Sequence, residues 1–449
     1  MRIQSIKIEK LFNFFDHKID LNLKEGITII HSPNGYGKTI ILKMLQSLFN
    51  QSFYIFFKIP FKIFSVTFDN GSQIEISKNN NKISQKYFNK QLNKNYDYEF
   101  EENNSEEFIE KIAPRRIRES FPYLERISPT LWIDVRTNIE YSTQEVLLKL
   151  EDEEPPGLFN DLKMKNIFSN IEFANIQRVY FIQDQRLLQK NTPRYRRHSE
   201  EPLWIESVLQ NSKEISEIIK NTEREYAKLS QELDTNFVSR ILENSIRKEK
   251  FTYQNIELLL KNLQDKITKL SKFGLYDIEV HNKTLKKFPS SLVNVGDSDL
   301  KVIFMSIEDQ MKKLEVFDNL LKRIELFTEI LNVKKLKFKK IQIDKNKGYI
   351  FKTDDEKDIL ASDLSSGEQN ELILNYELIF KIQPNTLVLI DEPEISLHVE
   401  WQHDFLNDLE KIIQLQKIDF LIATHSPQII GEKWNLTVRL EEPKRKSKK

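Results

Sequence analysis

The chain has no cysteine, only ten glycines in 449 residues, and no apolar run approaching the roughly 18–20 residues that a membrane span needs. Missing thiols exclude disulfides and Cys-ligated zinc and fit a reducing compartment. The N-terminus, MRIQSIKIEK, alternates apolar and polar residues in place of a signal-peptide core. A cytoplasmic protein with no membrane partner is the expectation. Neither sign of charge is in excess: Lys plus Arg and Asp plus Glu each number 68, so contact with nucleic acid would have to come from local patches. What the sequence does hold is bulk. With 39% hydrophobic and 30% charged residues, its length suits two or three domains with a full core. Where glycine is this scarce, each one is informative.

Arg2 to Glu9 and His17 to Leu23 alternate like paired strands, and Ile27 to Ile30 is a short apolar strand leading into a glycine loop. Thr39 to Phe49 has helical apolar spacing. Phe61 to Phe68 and Gln73 to Ser77 flank DNGS, a hairpin signal, and the polar Asn79 to Asn104 stretch reads as an irregular surface insertion. Leu131 to Val135 and Val179 to Ile182 are further strands. From about Leu203 to Leu331 apolar residues recur three and four apart, interrupted near Gly274 and Pro289, which predicts a helical insertion, an antiparallel coiled hairpin. An unbroken arm of about 50 residues would reach roughly 75 Å. Lys335 to Ile343 and Gly348 to Lys352 form a hairpin, followed by the helix opening at LSSGEQ and the strand LVLID; Ile418 to Ala423 is the last strand. The expected organisation is therefore 1–202, an N-terminal part of an α/β head; 203–333, the insertion; 334–440, the C-terminal part of the head; and 441–449, a basic tail.

Ser32-Pro33-Asn34-Gly35-Tyr36-Gly37-Lys38-Thr39 lies between a strand and a helix, the context a phosphate loop demands. Gly35 and Gly37 let backbone N–H groups, with those of Asn34, crowd around a β-phosphate at the positive end of the helix. Lys38 would bridge the β- and γ-phosphates of ATP, and Thr39 would give its hydroxyl to Mg2+. Ser32 stands where the usual pattern has its first glycine. Leu387 to Ile390 is an unbroken apolar run, as in a strand covered on both faces, and it delivers Asp391 and Glu392 to its C-terminal end. Asp391 is expected in the Mg2+ shell, and Glu392 is expected to polarise the attacking water. His425 follows its own strand and is placed to sense the γ-phosphate. Gln185, after the strand ending at Ile182, is assigned to Mg2+ or the water, with Gln183 the alternative.

Leu364 to Gln369, LSSGEQ, opens a helix upstream of the acidic strand. Ser365 with Glu368 is good capping chemistry, and a helix N-terminus aimed at an anion is also how such a turn binds phosphate. In the fold these motifs suggest, Ser365, Gly367 and Glu368 cannot reach the ATP on their own Lys38 and would cap the γ-phosphate held by a second copy. Moving such a dimer equilibrium from 1:99 to 99:1 takes about 5.5 kcal/mol of differential binding.

NGYGKT, LSSGEQ, LVLIDEPEISLH and IATHSP together resemble the ATPase heads of the ABC superfamily, in the branch that includes SMC, RecF and OLD-type proteins. That resemblance implies a mixed sheet flanked by helices with a short coiled-coil insertion. It also makes Ser396-Leu397-His398 the loop through which two heads communicate. More narrowly, LFNFFDHKIDLN, VYFIQDQRLL and ELDTNFVSRIL resemble the AriA-type ATPases of PARIS anti-phage systems, whose partner is a Toprim-type nuclease. No Toprim segment follows THSP in this sequence, so cleavage is expected to belong to a partner.

The function expected is an ATPase that dimerises, or assembles further, through its heads, answers a phage protein trigger and controls a nuclease. The alternative is a short-armed, RecF-like repair ATPase that clamps DNA, with Arg115, Arg116, Arg118, Arg194, Arg196, Arg197 and His198 as candidate phosphate contacts. A transporter subunit is disfavoured, because the insertion pushes LSSGEQ far from the phosphate loop.

Overall fold

The computed structural model describes residues 1–50, 54–79, 82–101, 123–128, 131–135, 139–142, 146, 176–182, 188–190, 204–242, 252–277, 296–334, 336 and 338–442. The chain divides into two compact units, Met1–Asp184 with Ile382–Lys449, and Gln185–Lys381. The boundaries expected at 202/203 and 333/334 both fall inside the second.

In the first unit the strands β1 (Ile3–Leu11), β2 (Phe15–Asp20), β3 (Ile27–His31), β4 (Ile63–Phe68), β5 (Gln73–Asn79), β6 (Lys82–Asn89) and β7 (Lys94–Glu101) precede residue 102. All but β3 form an antiparallel sheet ordered β2-β1-β4-β5-β6-β7. The expectation of an irregular insertion over Asn79 to Asn104 is overturned by β6 and β7. Ile83, Gln85 and Tyr87 alternate inward along β6, and Tyr87 pairs across the ladder with Tyr96, their rings stacked at 6.1 Å. The Asn- and Lys-rich composition is the outward half of that alternation. A small antiparallel sheet joins β8 (Leu124–Ser128), β9 (Leu131–Asp134) and β10 (Ile139–Ser142). Then comes β11 (Arg178–Ile182).

The second unit begins with the paired β12 (Leu188–Lys190) and β13 (Trp204–Glu206) and continues into helices Ser207–Thr235, Phe237–Leu242, Tyr253–Lys272, Asp297–Glu315 and Asp318–Lys334. The longest has 29 residues, about 44 Å at helical rise, so the arm is broken well short of 50 residues. Asn236 ends the first helix, and the Thr252 hydroxyl caps the N–H of Asn255 to start a later one. Ile256, Leu263, Ile267 and Leu270 give that later helix its buried stripe. Arg240 forks onto both carboxylate oxygens of Asp309. A three-stranded sheet comes next: β14 (Lys339–Asp344), β15 (Gly348–Thr353) and β16 (Asp358–Ile359), then helix Ser366–Tyr376.

Back in the first unit, β17 (Thr386–Asp391), β18 (Asp419–Thr424) and β19 (Thr437–Arg439) complete an all-parallel sheet ordered β11-β17-β18-β3-β19. The α/β character expected of a mixed sheet is thus carried by two sheets, one antiparallel and one parallel. Every residue of β17 and β18 is buried, as the unbroken apolar runs require. Helix Lys38–Phe49 buries Ile41, Leu42, Met44, Leu45 and Leu48 in one core with Ile6, Phe64 and Val66 of the antiparallel sheet and Leu387, Leu389 and Leu421 of the parallel one. Each such side chain contributes about 1.5–3 kcal/mol by leaving water. Arg2 pairs with Asp419 at 2.9 and 2.6 Å, and Gln177 donates to the same carboxylate, joining the starts of β1, β11 and β18.

The second unit is pinned at Gly348. Ser212 of helix Ser207–Thr235 donates to the Lys347 carbonyl at 2.5 Å and accepts from the Tyr349 N–H at 3.1 Å. Gly348, between them, has φ +84°, and a Cβ there would stand 1.8 Å from the Ser212 carbonyl oxygen. Gly348→Ala is therefore expected to destabilise this unit by well over ~1 kcal/mol, because both the backbone conformation and the close approach exclude a side chain. Thermal unfolding checks it; a melting temperature equal to wild type would mean the helix and hairpin do not meet this way.

Candidate functional site

The loop Ser32–Gly37 leaves β3 and enters helix Lys38–Phe49. Gly37 caps that helix at φ +85°, and a Cβ on it would lie 2.7 Å from Leu11 Cδ2. Conformation requires glycine here, and a Cβ would also displace the Leu11 side chain. Gly35, at φ +86°, has open space beside it. The helix carries no side-chain cap and no acid in its first turn, so its leading N–H groups keep their capacity for an anion. Lys38 is buried and folds back over the loop, donating to the carbonyls of Ser32 at 2.9 Å and Pro33 at 3.3 Å. Thr39 and Asn34 reach the surface on either side of it.

Parallel register brings the acidic strand end to the same edge. Asp391 stands opposite Ala423, and Ala423 opposite Ile30, the second-to-last residue of β3. Asp391 is buried, while Glu392, one residue on, turns sharply at φ 41° and donates its N–H to the Ala423 carbonyl at 2.8 Å. A left-handed conformation at a non-glycine residue costs about 1–2 kcal/mol and is held only where the surroundings fix it. The turn aims Glu392 at the residue after β18: His425 Nδ1 lies 3.7 Å from Glu392 Oε1. Asp391, Glu392, His425 and the loop bearing Lys38 therefore share one sheet edge, where an ammonium, carboxylates and an imidazole can serve anion binding and proton transfer.

Sequence reasoning missed three contributors. Glu394 is the largest omission: its Oε1 accepts from the Thr424 hydroxyl at 2.8 Å and the His425 N–H at 3.1 Å, and lies 3.2 Å from His425 Nδ1. The signal was present as the second acid of DEPE. Gln402, buried, donates to the carbonyls of Glu394 and Leu397 and accepts from the Ser426 hydroxyl at 3.2 Å, tying the Ser396-Leu397-His398 loop to the segment after β18. His17 is the third. Its Nε2–H donates to the Tyr36 carbonyl at 3.1 Å, and Phe15 stacks on it, so the phosphate loop leans on the β2 edge. Only the outcome of folding could have revealed that contact.

In the second unit, LSSGEQ forms the expected cap. The Glu368 carboxylate accepts from the Ser365 N–H at 2.8 Å and its hydroxyl at 2.9 Å, while the Glu368 N–H returns to that hydroxyl at 3.3 Å. Lys339 donates to both Glu368 oxygens at 2.9 and 2.8 Å. Burial works to raise the Glu368 carboxyl, yet Lys339 and the two Ser365 donors outweigh it and hold the group below the usual carboxylate range. Gly367 sits in the first turn, and Ser365 and Ser366 are exposed. Gln183, Gln185 and the arginine clusters at 115–118 and 194–198 lie outside the described residues. Among the described residues no helix is long and apolar enough to cross a membrane, and no group of three or more acids and histidines is set to hold a metal ion.

A parallel sheet with a glycine loop, lysine and helix start at one strand end, and adjacent acids at the next but one, is the arrangement of the phosphate-loop nucleoside triphosphatases. The chain belongs to the AAA ATPase domain family designated AAA_15, whose model matches residues 1–430. Over 174 residues, 38% of this chain, it is 28% identical to the Retron Ec83 probable ATPase of Escherichia coli, a stretch that spans 29% of that protein's length. Among solved structures it is similar to the Smc head domain of Pyrococcus furiosus bound to the C-terminal domain of ScpA, at 13% identity, 96% of this chain, 91% of that one and a TM-score of 0.35. It is likewise similar to the SMC head domain of Thermotoga maritima, at 11% identity, 96% and 91% coverage and a TM-score of 0.32.

The His17 contact makes stability depend on pH. Burial pushes the His17 imidazolium below its ordinary value, partly countered by the Tyr36 carbonyl. The folded state thus keeps His17 neutral where the unfolded chain would already bind a proton, so stability is full above about pH 6.5 and falls as pH drops toward the lowered value. Denaturant titrations between pH 7.5 and 5 are expected to show this loss and His17→Phe to reduce it; an unchanged slope in the variant would remove His17 as a source.

Proposed function

We propose that the protein hydrolyses Mg2+-bound ATP at a site shared between two copies, and that this ATPase is the sensor and regulator of a prokaryotic anti-phage system, controlling a separate Toprim-type nuclease. The observation that carries the catalytic half is the convergence of Lys38, Asp391, Glu392 and His425 on one edge of the parallel sheet, with Glu392 and His425 3.7 Å apart. Lys38 releases its loop carbonyls and neutralises the β- and γ-phosphates. The first-turn N–H groups and Asn34, Gly35 and Gly37 hold the phosphate chain. Glu392 polarises a water whose oxygen attacks the γ-phosphorus as the bond to the bridging oxygen breaks, leaving ADP and phosphate; His425 contacts the γ-phosphate. Thr39 and Asp391 offer a hydroxyl and a carboxylate, hard oxygen donors of the kind Mg2+ takes alongside substrate phosphates, and the ion would supply charge neutralisation there. Gln185 is retained as a further contact to the ion or the water.

The second copy supplies Ser365, Gly367 and Glu368. An exposed, well-capped helix start with two serines is suited to meeting a phosphate on another molecule. ATP then joins two copies head to tail, and hydrolysis loosens them. For the biological role, the support is the resemblance of LFNFFDHKIDLN, VYFIQDQRLL and ELDTNFVSRIL to AriA-type ATPases, together with likeness to an ATPase associated with a retron.

Two measurements test this reading. Glu392→Gln is expected to lower kcat for ATP by at least ~100-fold with binding retained, since the group acts on the water; unchanged turnover would reject that assignment. Lys38→Ala and Ser365→Arg chains, each inactive alone, should recover roughly a quarter of wild-type turnover when mixed, because random pairing makes half the dimers mixed and each has one intact site of two. No recovery would argue against a shared site.

A further inference from the structure

The geometry points to Glu394 as the residue that positions His425, and so keeps the γ-phosphate contact separate from the water-polarising Glu392. Glu394 follows Glu392 by one short turn through Pro393, yet the two side chains differ in setting. The Glu394 side chain is only 10% exposed against 26% for Glu392, and it reaches back to the end of β18. One oxygen, Oε1, gathers the Thr424 hydroxyl, the His425 N–H and the Nδ1 edge of the His425 ring. The oxygen that holds the His425 backbone N–H also lies 3.2 Å from its Nδ1, so a turn of the imidazole would carry Nδ1 away from that carboxylate. His425 Nε2 has no hydrogen-bond partner among the described residues and is the nitrogen left for a ligand.

The rest of the Glu394 residue is set around His425 as well. Its Oε2 is buried and makes no hydrogen bond among the described residues, so the contacts to β18 and His425 all fall on Oε1. The backbone carbonyl of Glu394 also accepts from Gln402, which holds Ser426 on the far side of His425. His425 is thus bracketed from both ends by one turn. Without Glu394 the nearest acid to Nδ1 among the described residues is Glu392, already 3.7 Å away. The ring would then settle on the very carboxylate needed for the water, so that loss of Glu394 disables two groups through one movement.

This inference rests on His425 and Glu392 having the roles proposed above. Steady-state ATP hydrolysis by the full chain is measured for His425→Ala, Glu394→Ala, Glu394→Gln, Glu394→Asp and the double variant His425→Ala/Glu394→Ala. Expected are a fall in kcat of about tenfold or more for Glu394→Ala, with KM for ATP within about twofold of wild type, and partial recovery in Glu394→Asp. Because Glu394 acts through His425, adding Glu394→Ala to His425→Ala should cost nothing further. Effects that multiply, or wild-type kcat in Glu394→Ala, would overturn the inference. Wild-type turnover in His425→Ala would instead reject the role given to His425. In that case the ring nitrogen resonances of His425 still decide the positioning: they should shift in Glu394→Gln, which preserves the fold's shape, and their staying fixed would show that Glu394 does not hold the ring.

Discussion

Everything at the candidate site depends on the parallel pairing of β17, β18 and β3. Three strands buried on both faces can pair in only one register, because a slip would carry polar strand ends into the core. That register puts Asp391 beside Ala423 and Thr424 beside His31, so three separate stretches of sequence, about 30 and 360 residues apart along the chain, leave the sheet at one edge. The chemistry is then set by the residues just beyond each strand: a glycine loop after β3, two acids at the end of β17, a histidine after β18. None of these groups is held by a contact to the others alone. The sheet is the shared reference, and the Arg2–Asp419–Gln177 cluster fixes its opposite ends.

At the candidate site, backbone conformation and close packing both set direction. Glu392 adopts φ 41°, and the Cβ of a residue at position 37 would collide with Leu11. Both features turn the chain abruptly at a strand end, one to aim a carboxylate and the other to start a helix. Buried Asp391 and exposed His425 differ accordingly. Asp391 is locked by the sheet, whereas His425 stands half in solvent and needs a second residue to hold its orientation, which is why a nearby half-buried acid matters to it more than to its neighbours.

The legible parts of the fold and site were those in which neighbouring residues carry the pattern. An apolar run ending in Asp391-Glu392, and Gly35 and Gly37 between a strand and a helix, declare themselves within eight residues, because the strand, the turn and the chemistry are adjacent in sequence. The β6–β7 hairpin was not legible, since its inward residues include Gln85 and its outward ones include Lys82, Lys86, Asn95, Asp97 and Glu99, so composition masked an alternation that burial makes plain. Glu394 was visible as a letter but not as a function. Its partners are 30 and 31 residues away, and nothing in DEPE says which acid faces water and which faces β18. The His17–Tyr36 contact was hidden for the same reason.

LSSGEQ poses the opposite case, a motif whose structural and functional chemistry use the same atoms. Ser365 donates its N–H and hydroxyl to Glu368, and Lys339 neutralises the carboxylate from outside the helix. A helix start whose donors are already filled by its own carboxylate is stable without any ligand. Were a phosphate to take the Ser365 donors, the Glu368 carboxylate would keep Lys339 as its partner, so it would not be left buried and unpaired, which is the condition that makes a lost hydrogen bond expensive. The cap can therefore exchange an internal anion for an external one at low cost. On the shared-site reading proposed above, that exchange would reconcile a turn built to hold a helix with one that meets a second molecule, with Lys339 keeping Glu368 paired.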